Sequence, residues 1–265
     1  MGRLAGKLAI VTGGARGLGG AAADALAAEG AAVIIADMLD ESGAARAAHL
    51  TAEGHKAEYA HLDVRDPASW AALVADIMAR HGRLDILVNN AGINAAVTIE
   101  DATPDQFRAI LEVNLIGPFL GMKAVIPAMR AGGGGSIINL ASNSTQMVLP
   151  LTSLYGASKS ALANLTKSTA VHCAQRGYNI RVNSIHPGAH ETEMLLGNGG
   201  AKPADIPQVR ALINAIPMGR MGKPREIGPL VVFLASDDSS YMTASELFSD
   251  GGLTVVSFGA DPELQ

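Results

Sequence analysis

The sequence predicts a single α/β domain: a doubly wound parallel sheet of about seven strands, with helices on both faces. Three observations point there. Short β-branched apolar runs alternate with helical patterns along the chain, which is how a parallel sheet with crossover helices reads. The run at 7–12 passes through a glycine turn into an alanine-rich helix, and the run at 31–37 closes on Asp37. Strand, glycine turn, helix, strand, acid is the order of a dinucleotide-binding unit. Finally, Thr12, Asp37, Asp63, Asn89, Ser142 and His186 each terminate a strand pattern, and in an open α/β sheet such ends form the edge where ligands bind.

Taken in order, KLAIVT at 7–12 stops at Gly13, the mark of a buried strand. The turn Gly13-Gly14-Ala15-Arg16-Gly17-Leu18-Gly19 lets backbone approach a pyrophosphate closely, at the positive end of a helix over 20–29. A second helix covers 40–53 and breaks at Gly54; a third strand, 56–62, leads to Asp63-Val64. Asp66 is the expected cap of a helix over 67–81, with Pro67 in its first turn. A fourth strand, 84–89, runs into Asn90-Ala91-Gly92. Thr103 and Pro104 start a helix to about 129, which Pro118 and Pro127 are expected to bend or interrupt. The glycines at 132–135 form a flexible loop before a strand at 136–141. A long helix then reaches 175 and a sixth strand covers 179–185. Residues 189–221 read as irregular, with a short helix near 207–215; a helix at 224–235 and a strand at 245–249 complete the pattern. With no linker and no solenoid-period repeat, 1–265 is expected to be one dinucleotide-binding and catalytic domain, with a substrate-loop segment at about 189–221.

Composition narrows the function classes. Charged residues make up 17% of the 265 and hydrophobic ones 48%, the balance of a folded globular chain with a substantial core. A net charge of −5 without a basic run argues against a nucleic-acid partner. Cys173 is the lone cysteine, so neither an internal disulfide nor a cysteine zinc cluster is available, and the seven histidines do not cluster; no metal is expected. The first residues lack a signal-peptide h-region, and no stretch reads as about 18 uninterrupted apolar residues. A cytoplasmic protein with no membrane partner is the expectation.

The chemistry is concentrated in SNSTQMVLPLTSLYGASK, from Ser142 to Lys159. Tyr155 and Lys159 stand at i and i+4, on one face of a helix. A phenol ordinarily loses its proton near pH ~10; an ammonium beside it favours the phenolate and brings proton exchange toward neutral pH. Ser142 would then hydrogen-bond the reacting oxygen. Alone, Y-x-x-x-K is as ordinary as any surface Tyr/Lys pair. Its helix, however, starts from the same sheet edge as the glycine turn and Asp37, and that convergence selects the catalytic reading.

Together, T-G-G-x-x-G-x-G from Thr12 to Gly19, Asn90-Ala91-Gly92 and the Ser142, Tyr155, Lys159 set resemble the short-chain dehydrogenase/reductase family, classical type. The resemblance covers about residues 4–254 and implies a Rossmann-type sheet and usually a homotetramer, with a dimer as the smaller option. It implies Tyr155 as proton donor and acceptor, Lys159 as the group that depresses its pKa and holds the nicotinamide ribose, and Ser142 as the residue orienting the substrate oxygen. Asn114, in L-E-V-N-L, resembles the asparagine closing a water-linked proton path to Lys159; by itself it reads as a helix-interior amide. Asn90, Ala91 and Gly92 would pass close to the adenine-side ribose. Asp63 would hold adenine through its side chain and Val64 through its backbone. Pro187-Gly188-Ala189-His190-Glu191-Thr192 matches the family's P-G-x-x-x-T, which holds the carboxamide and directs transfer of the pro-S hydride. His190 departs from the aliphatic residue usual there; a solvent-facing imidazole is expected, with contact to substrate or cofactor as the alternative.

A carboxylate at Asp37 accepts from the ribose hydroxyls and repels a 2′-phosphate, which favours NAD. Arg16, where some NADP-using relatives carry a phosphate-binding base, argues for NADP, the less favoured cofactor. The substrate walls are expected at 93–96, 143–149 and 189–218, including Ser144, Met147, Val148, Leu149, Met194, Leu195 and Leu196. This apolar set, with methionines for adaptability, suits an apolar secondary alcohol or its ketone: cyclic, steroid-like or aromatic. Two alternatives stand beside this: an NADPH-dependent 3-oxoacyl-thioester reductase, and a non-catalytic NAD(H)-sensing protein of the same fold, which would typically lack the tyrosine or the lysine.

Overall fold

The apolar runs become strands covered on both faces. All five residues of β1 (Leu8–Thr12) and all four of β4 (Ile86–Asn89) are buried in the computed structural model, which describes residues 2–197 and 206–255. With β2 (Ala32–Asp37), β3 (Ala57–His61), β5 (Gly135–Leu140), β6 (Ile180–Pro187) and β7 (Glu246–Ser249), they form one parallel sheet in the order β3-β2-β1-β4-β5-β6-β7. Successive strands move outward from β1 to β3, and β4 then returns to the other side of β1. That reversal opens a crevice above the β1 and β4 tips.

Two cores sandwich the sheet. On one face α1 (Gly17–Ala28), α2 (Asp40–Ala52) and α9 (Gly228–Ala235) bury Leu26, Leu50 and Val231 against Val33, Ile35 and Val88. On the other, α3 (Pro67–His81), α5 (Gly117–Ala131) and α6 (Ser153–Gln175) bury Trp70, Val125 and Cys173 against Ile10, Leu87 and Ile137. A polar belt crosses this second core. Asn89 lies opposite Asn139 in the β4–β5 register and donates to its side-chain oxygen at 2.8 Å. Asn139 in turn donates to Thr166 Oγ1 at 2.8 Å, tying the strands to α6.

Local signals account for the helix ends. Asp66 accepts from Ala68 N at 2.9 Å to open α3, which closes on Gly82. Thr103 and Gln106 exchange hydrogen bonds as a capping box for α4 (Pro104–Leu111). The expected breaks at Pro118 and Pro127 are not where the helical run from 104 to 131 departs from α geometry. Instead α4 passes through a π turn, Glu112–Ile116, into α5. Pro118 occupies the first turn of α5 and Pro127 stays within it. The π turn swings Asn114 inward, the local irregularity often met at functional sites. One 18-residue window of this 28-residue run reaches a mean hydropathy of 1.6, enough to cross a membrane by length and composition alone, although Glu112, Asn114 and Lys123 interrupt the apolar stretch as the sequence reading expects. The run carries the buried Asn114 amide and lays Met122, Val125 and Met129 into the second core, as the wall helix of a globular sheet does.

Other boundaries moved by a few residues. α1 begins at Gly17, Gly135 joins β5, and the 224–235 helix divides into a single 3₁₀ turn, Pro224–Glu226, and α9. In the 189–221 segment, α7 (Glu193–Leu196) and α8 (Pro207–Ala215) are ordered turns of helix; residues 198–205 of that segment lie outside the described residues.

Candidate active site

The nucleotide end is assembled by backbone. A Cβ on Gly19 would collide with the Gly13 carbonyl and the Asn90 side-chain amide, so glycine is what lets the first turn of α1 rest on the β1 tip. The unpaired N–H groups of that turn are suited to a pyrophosphate. Thr12 is buried beneath it, its Oγ1 accepting from Asn90 N at 3.0 Å and Ala91 N at 3.1 Å. The Asn90 side chain donates to the Thr12 and Gly13 carbonyls at 3.0 and 3.1 Å, stitching β4 to the glycine turn. Asp37 stands at the mouth of β2, with Oδ2 accepting from Ala15 N at 3.0 Å and Oδ1 from Leu39 N at 3.1 Å. Its carboxylate is thus fixed beside the glycine turn.

Gly13, Gly17, Asp37 and Asn90 line one cleft of ≈ 860 Å³ that runs on to Ser142, Tyr155 and Lys159. Of the cofactor residues expected from sequence, Gly13, Arg16, Gly17, Leu18, Asp37, Asp63 and Val64 line it. So do Asn90, Ala91, Gly92, Pro187, Gly188 and Thr192, while Gly19 sits behind the wall. The glycine cradle, the fixed acid and the size of the cleft fit a dinucleotide. Asp63 differs from expectation in one respect. Its carboxylate is already bound by Arg65, through Arg65 N at 3.0 Å and Nη2 at 2.7 Å, and this pairing holds it below the usual carboxylate range.

At the chemical end, α6 carries Tyr155, half-buried, and Lys159, 3% exposed. The Lys159 ammonium donates to the Leu140 carbonyl at 2.8 Å and lies 5.7 Å from the Tyr155 ring centroid. The expected depression of the phenol by this ammonium is not what dominates. Burial raises the Tyr155 pKa, with Ser142's hydrogen bond pulling the other way, and burial brings Lys159 down to about 8. Two charges leaving water in one pocket each meet a desolvation cost, and the i+4 spacing alone does not reveal it. Asn114 lies behind this pair. Its Oδ1 accepts from Ile93 N at 2.8 Å, and its Nδ2 donates to Ile93 O at 2.9 Å and Ser158 Oγ at 3.1 Å.

Ser144, Met147, Leu149, His190, Met194 and Leu195 line the substrate end. Val148 does not; it points away and is 82% exposed. Leu196 faces a separate groove beside α1. His190 also overturns its expectation: it is 5% exposed, not solvent-facing. Its Nδ1 lies 3.1 Å from the Gly188 carbonyl, and the ring packs on Gly222, where a Cβ would stand 2.5 Å from Nε2. The backbone bridge between His190 and Gly222 explains this, because it folds the segment back over its own side chain. Arg16 reaches across the cleft mouth to Glu193 on α7, at 4.0 Å.

Among the strand-end residues, Asn89 and His186, like Thr12, are buried below the cleft floor rather than lining it. Sequence reasoning missed Arg65, readable as a cation two residues after Asp63, and Ser158, readable as the i+3 neighbour of Tyr155.

A nucleotide cleft at the β1/β4 switch point with a Ser–Tyr–Lys set at its inner end defines a dinucleotide-dependent oxidoreductase. Comparisons agree. A family model described as enoyl-(acyl carrier protein) reductase matches residues 13–254. The trans-4-hydroxycyclohexanecarboxylate dehydrogenase of Sinomonas cyclohexanicum is 43% identical over 258 residues, covering 95% of this chain and 94% of its own. The 3-alpha-(or 20-beta)-hydroxysteroid dehydrogenase of Mycobacterium tuberculosis H37Rv is 46% identical over 251 residues, covering 95% and 90%. A crystal structure of gluconate 5-dehydrogenase from Burkholderia cenocepacia J2315, in complex with NADP and tartrate, superposes with a TM-score of 0.88 at 37% identity, covering 96% and 98%. The chain belongs to the short-chain dehydrogenase/reductase family, classical type, and is one of its nicotinamide-dependent oxidoreductases.

Proposed function

We propose that the protein interconverts an apolar cyclic secondary alcohol and its ketone, with NAD as cofactor and Tyr155 as general acid and base. The observation that carries this is the meeting of Tyr155, Ser142 and Lys159 at the inner end of a cleft whose outer end holds Asp37. The names of the cyclohexane and steroid relatives support a cyclic substrate, and the apolar wall of Met147, Leu149 and Met194 supports an apolar one. The Asp37 carboxylate beside the glycine turn supports NAD. Arg16 is drawn toward Glu193, which weakens its claim on a 2′-phosphate.

A nicotinamide ring, when bound, supplies the hydride acceptor or donor. Tyr155 as phenolate takes the hydroxyl proton of the alcohol, and Ser142 holds the same oxygen. Lys159 stabilises the phenolate and hands protons onward, with Asn114 braced behind it. Pro187, Gly188 and Thr192 orient the carboxamide. Because burial holds the phenol up, oxidation, which needs phenolate, speeds up as pH rises. Reduction needs the phenol and does not. With NAD and a panel of alicyclic alcohols and hydroxysteroids, followed by absorbance of reduced cofactor, oxidative kcat/KM should climb up to about tenfold per pH unit between pH ~7 and ~9. A flat profile, or no turnover of any ring alcohol, would defeat the proposal.

The same reading extends to assembly. Ile116, Phe119 and Val171 are 36%, 42% and 48% exposed on the helices of one face, an apolar surface that supports a homotetramer or a dimer. Light scattering should give a multiple of the chain mass, and a monomer at micromolar concentration counts against it. The proposed setting is cytoplasmic, with no nucleic acid and no membrane as partner.

A further inference from the structure

We propose that His186 is a positioning residue for Ser142: a neutral imidazole that grips the Ser142 carbonyl and so sets where the Ser142 hydroxyl stands relative to Tyr155. The proposal builds on the assignment of Ser142 and Tyr155 as the acid/base site. His186 lies near the end of β6, fully buried under Phe248, whose ring centroid is 4.6 Å away. Its Nδ1 is 3.0 Å from the Ser142 carbonyl oxygen and 3.0 Å from Thr145 Oγ1. Thr145 Oγ1 itself donates to the same carbonyl at 2.9 Å.

The hydrogen count fixes the tautomer. A carbonyl only accepts, so an Nδ1 without a proton would set two lone pairs against each other at 3.0 Å. Nδ1 therefore carries the hydrogen and donates to Ser142 O. On the far side, Nε2 accepts from the Ser184 hydroxyl at 2.9 Å. The charged groups that face the ring leave it neutral. Glu246 Oε1 is 3.9 Å from Nε2 but is paired with Lys167 Nζ at 2.8 Å. Burial keeps the imidazole pKa below its ordinary value, outweighing the opposite pull of Glu246 and of the bond to the Ser142 carbonyl, with Lys167 and Lys159 adding weakly to the effect of burial.

The consequence falls on one atom. The Ser142 Oγ already accepts from Ser144 N at 3.1 Å, so its remaining direction depends on how the Ser142 peptide is held. His186 and Thr145 hold that peptide from below, outside the cleft. The two side chains themselves stay outside the cleft, while the His186 backbone runs on into Pro187 and Gly188 of its wall.

The test is a double-mutant cycle with a spectroscopic control. His186→Leu should lower kcat by about tenfold with KM for NAD unchanged, and His186→Asn, whose Nδ2–H replaces Nδ1–H, should recover most of it. In the Ser142→Ala background, His186→Leu should cost nothing further, since its only route to the chemistry has been removed. Additive losses, an Asn variant no better than Leu, or a loss expressed in KM for NAD would overturn the proposal. In wild type, ¹⁵N NMR of the resonance that His186→Asn removes should report a protonated Nδ1; an Nε2–H tautomer overturns it whether or not the leucine variant folds. If Ser142→Ala itself keeps full activity, the proposed catalytic site is what fails, and the tautomer measurement still judges the histidine.

Discussion

Tyr155→Phe should lower kcat by about a thousandfold while leaving the dinucleotide site intact. The size follows from the role, since a positioned acid or base is worth roughly 10²- to 10⁴-fold. The ring is half-buried in the cleft wall, and phenylalanine keeps that packing while removing only the oxygen. Cofactor binding, followed by fluorescence of the reduced dinucleotide, should change by less than about threefold, because the backbone cradle around Gly13, Gly17 and Gly19 and the acid at Asp37 are untouched. A variant that keeps a tenth or more of wild-type turnover would remove the phenol from the chemistry. Loss of cofactor binding in parallel would make Tyr155 a structural residue instead.

Asp37→Asn should carry the second large effect, on cofactor preference. The carboxylate receives the Ala15 and Leu39 N–H groups; alanine would leave both unpaired and loosen the glycine turn. Asparagine keeps one acceptor oxygen and removes the charge. A hydrogen bond to a charged group is worth ~1.5–3 kcal/mol, so the loss of charge should lower kcat/KM for NAD by about 10- to 100-fold. Removing the repulsion of a 2′-phosphate should raise the value for NADP, so the NAD-to-NADP ratio should fall by at least about a hundredfold. Steady-state kinetics with both cofactors measures it. A wild-type enzyme that already prefers NADP, or a ratio unmoved by the substitution, would show that Asp37 does not meet the ribose.

The fold was legible because the strands are short, β-branched and punctuated by glycine, and because α3 and α4 carry side-chain caps that sequence patterns display directly. What stayed hidden were features decided by tertiary contact. Pro118 and Pro127 looked like helix breakers, yet Pro118 sits in the first turn of α5 and the helix runs on through Pro127 in its interior, and the irregularity is the π turn at Glu112–Ile116, which brings Asn114 to the Ile93 backbone. The meeting of Ser142, Tyr155 and Lys159 was legible from strand-end and i+4 arithmetic. The balance of burial over charge at Tyr155 was not, because desolvation belongs to the surroundings. His190 misled for a similar reason: its concealment comes from the bridge to Gly222, a contact across more than thirty positions of chain that no local pattern announces.

The amide belt from Asn89 through Asn139 to Thr166 has a bearing on folding as well as on architecture. Strands that are greasy on both faces hold little information about how they should align, because sliding one by a residue exchanges one apolar face for another. Here a slip between β4 and β5 would strand two carboxamides in hydrocarbon, at a cost of about 1–3 kcal/mol for each. The belt therefore acts as a proofreader of alignment: misaligned pairings are penalised before the crevice above them is ever formed.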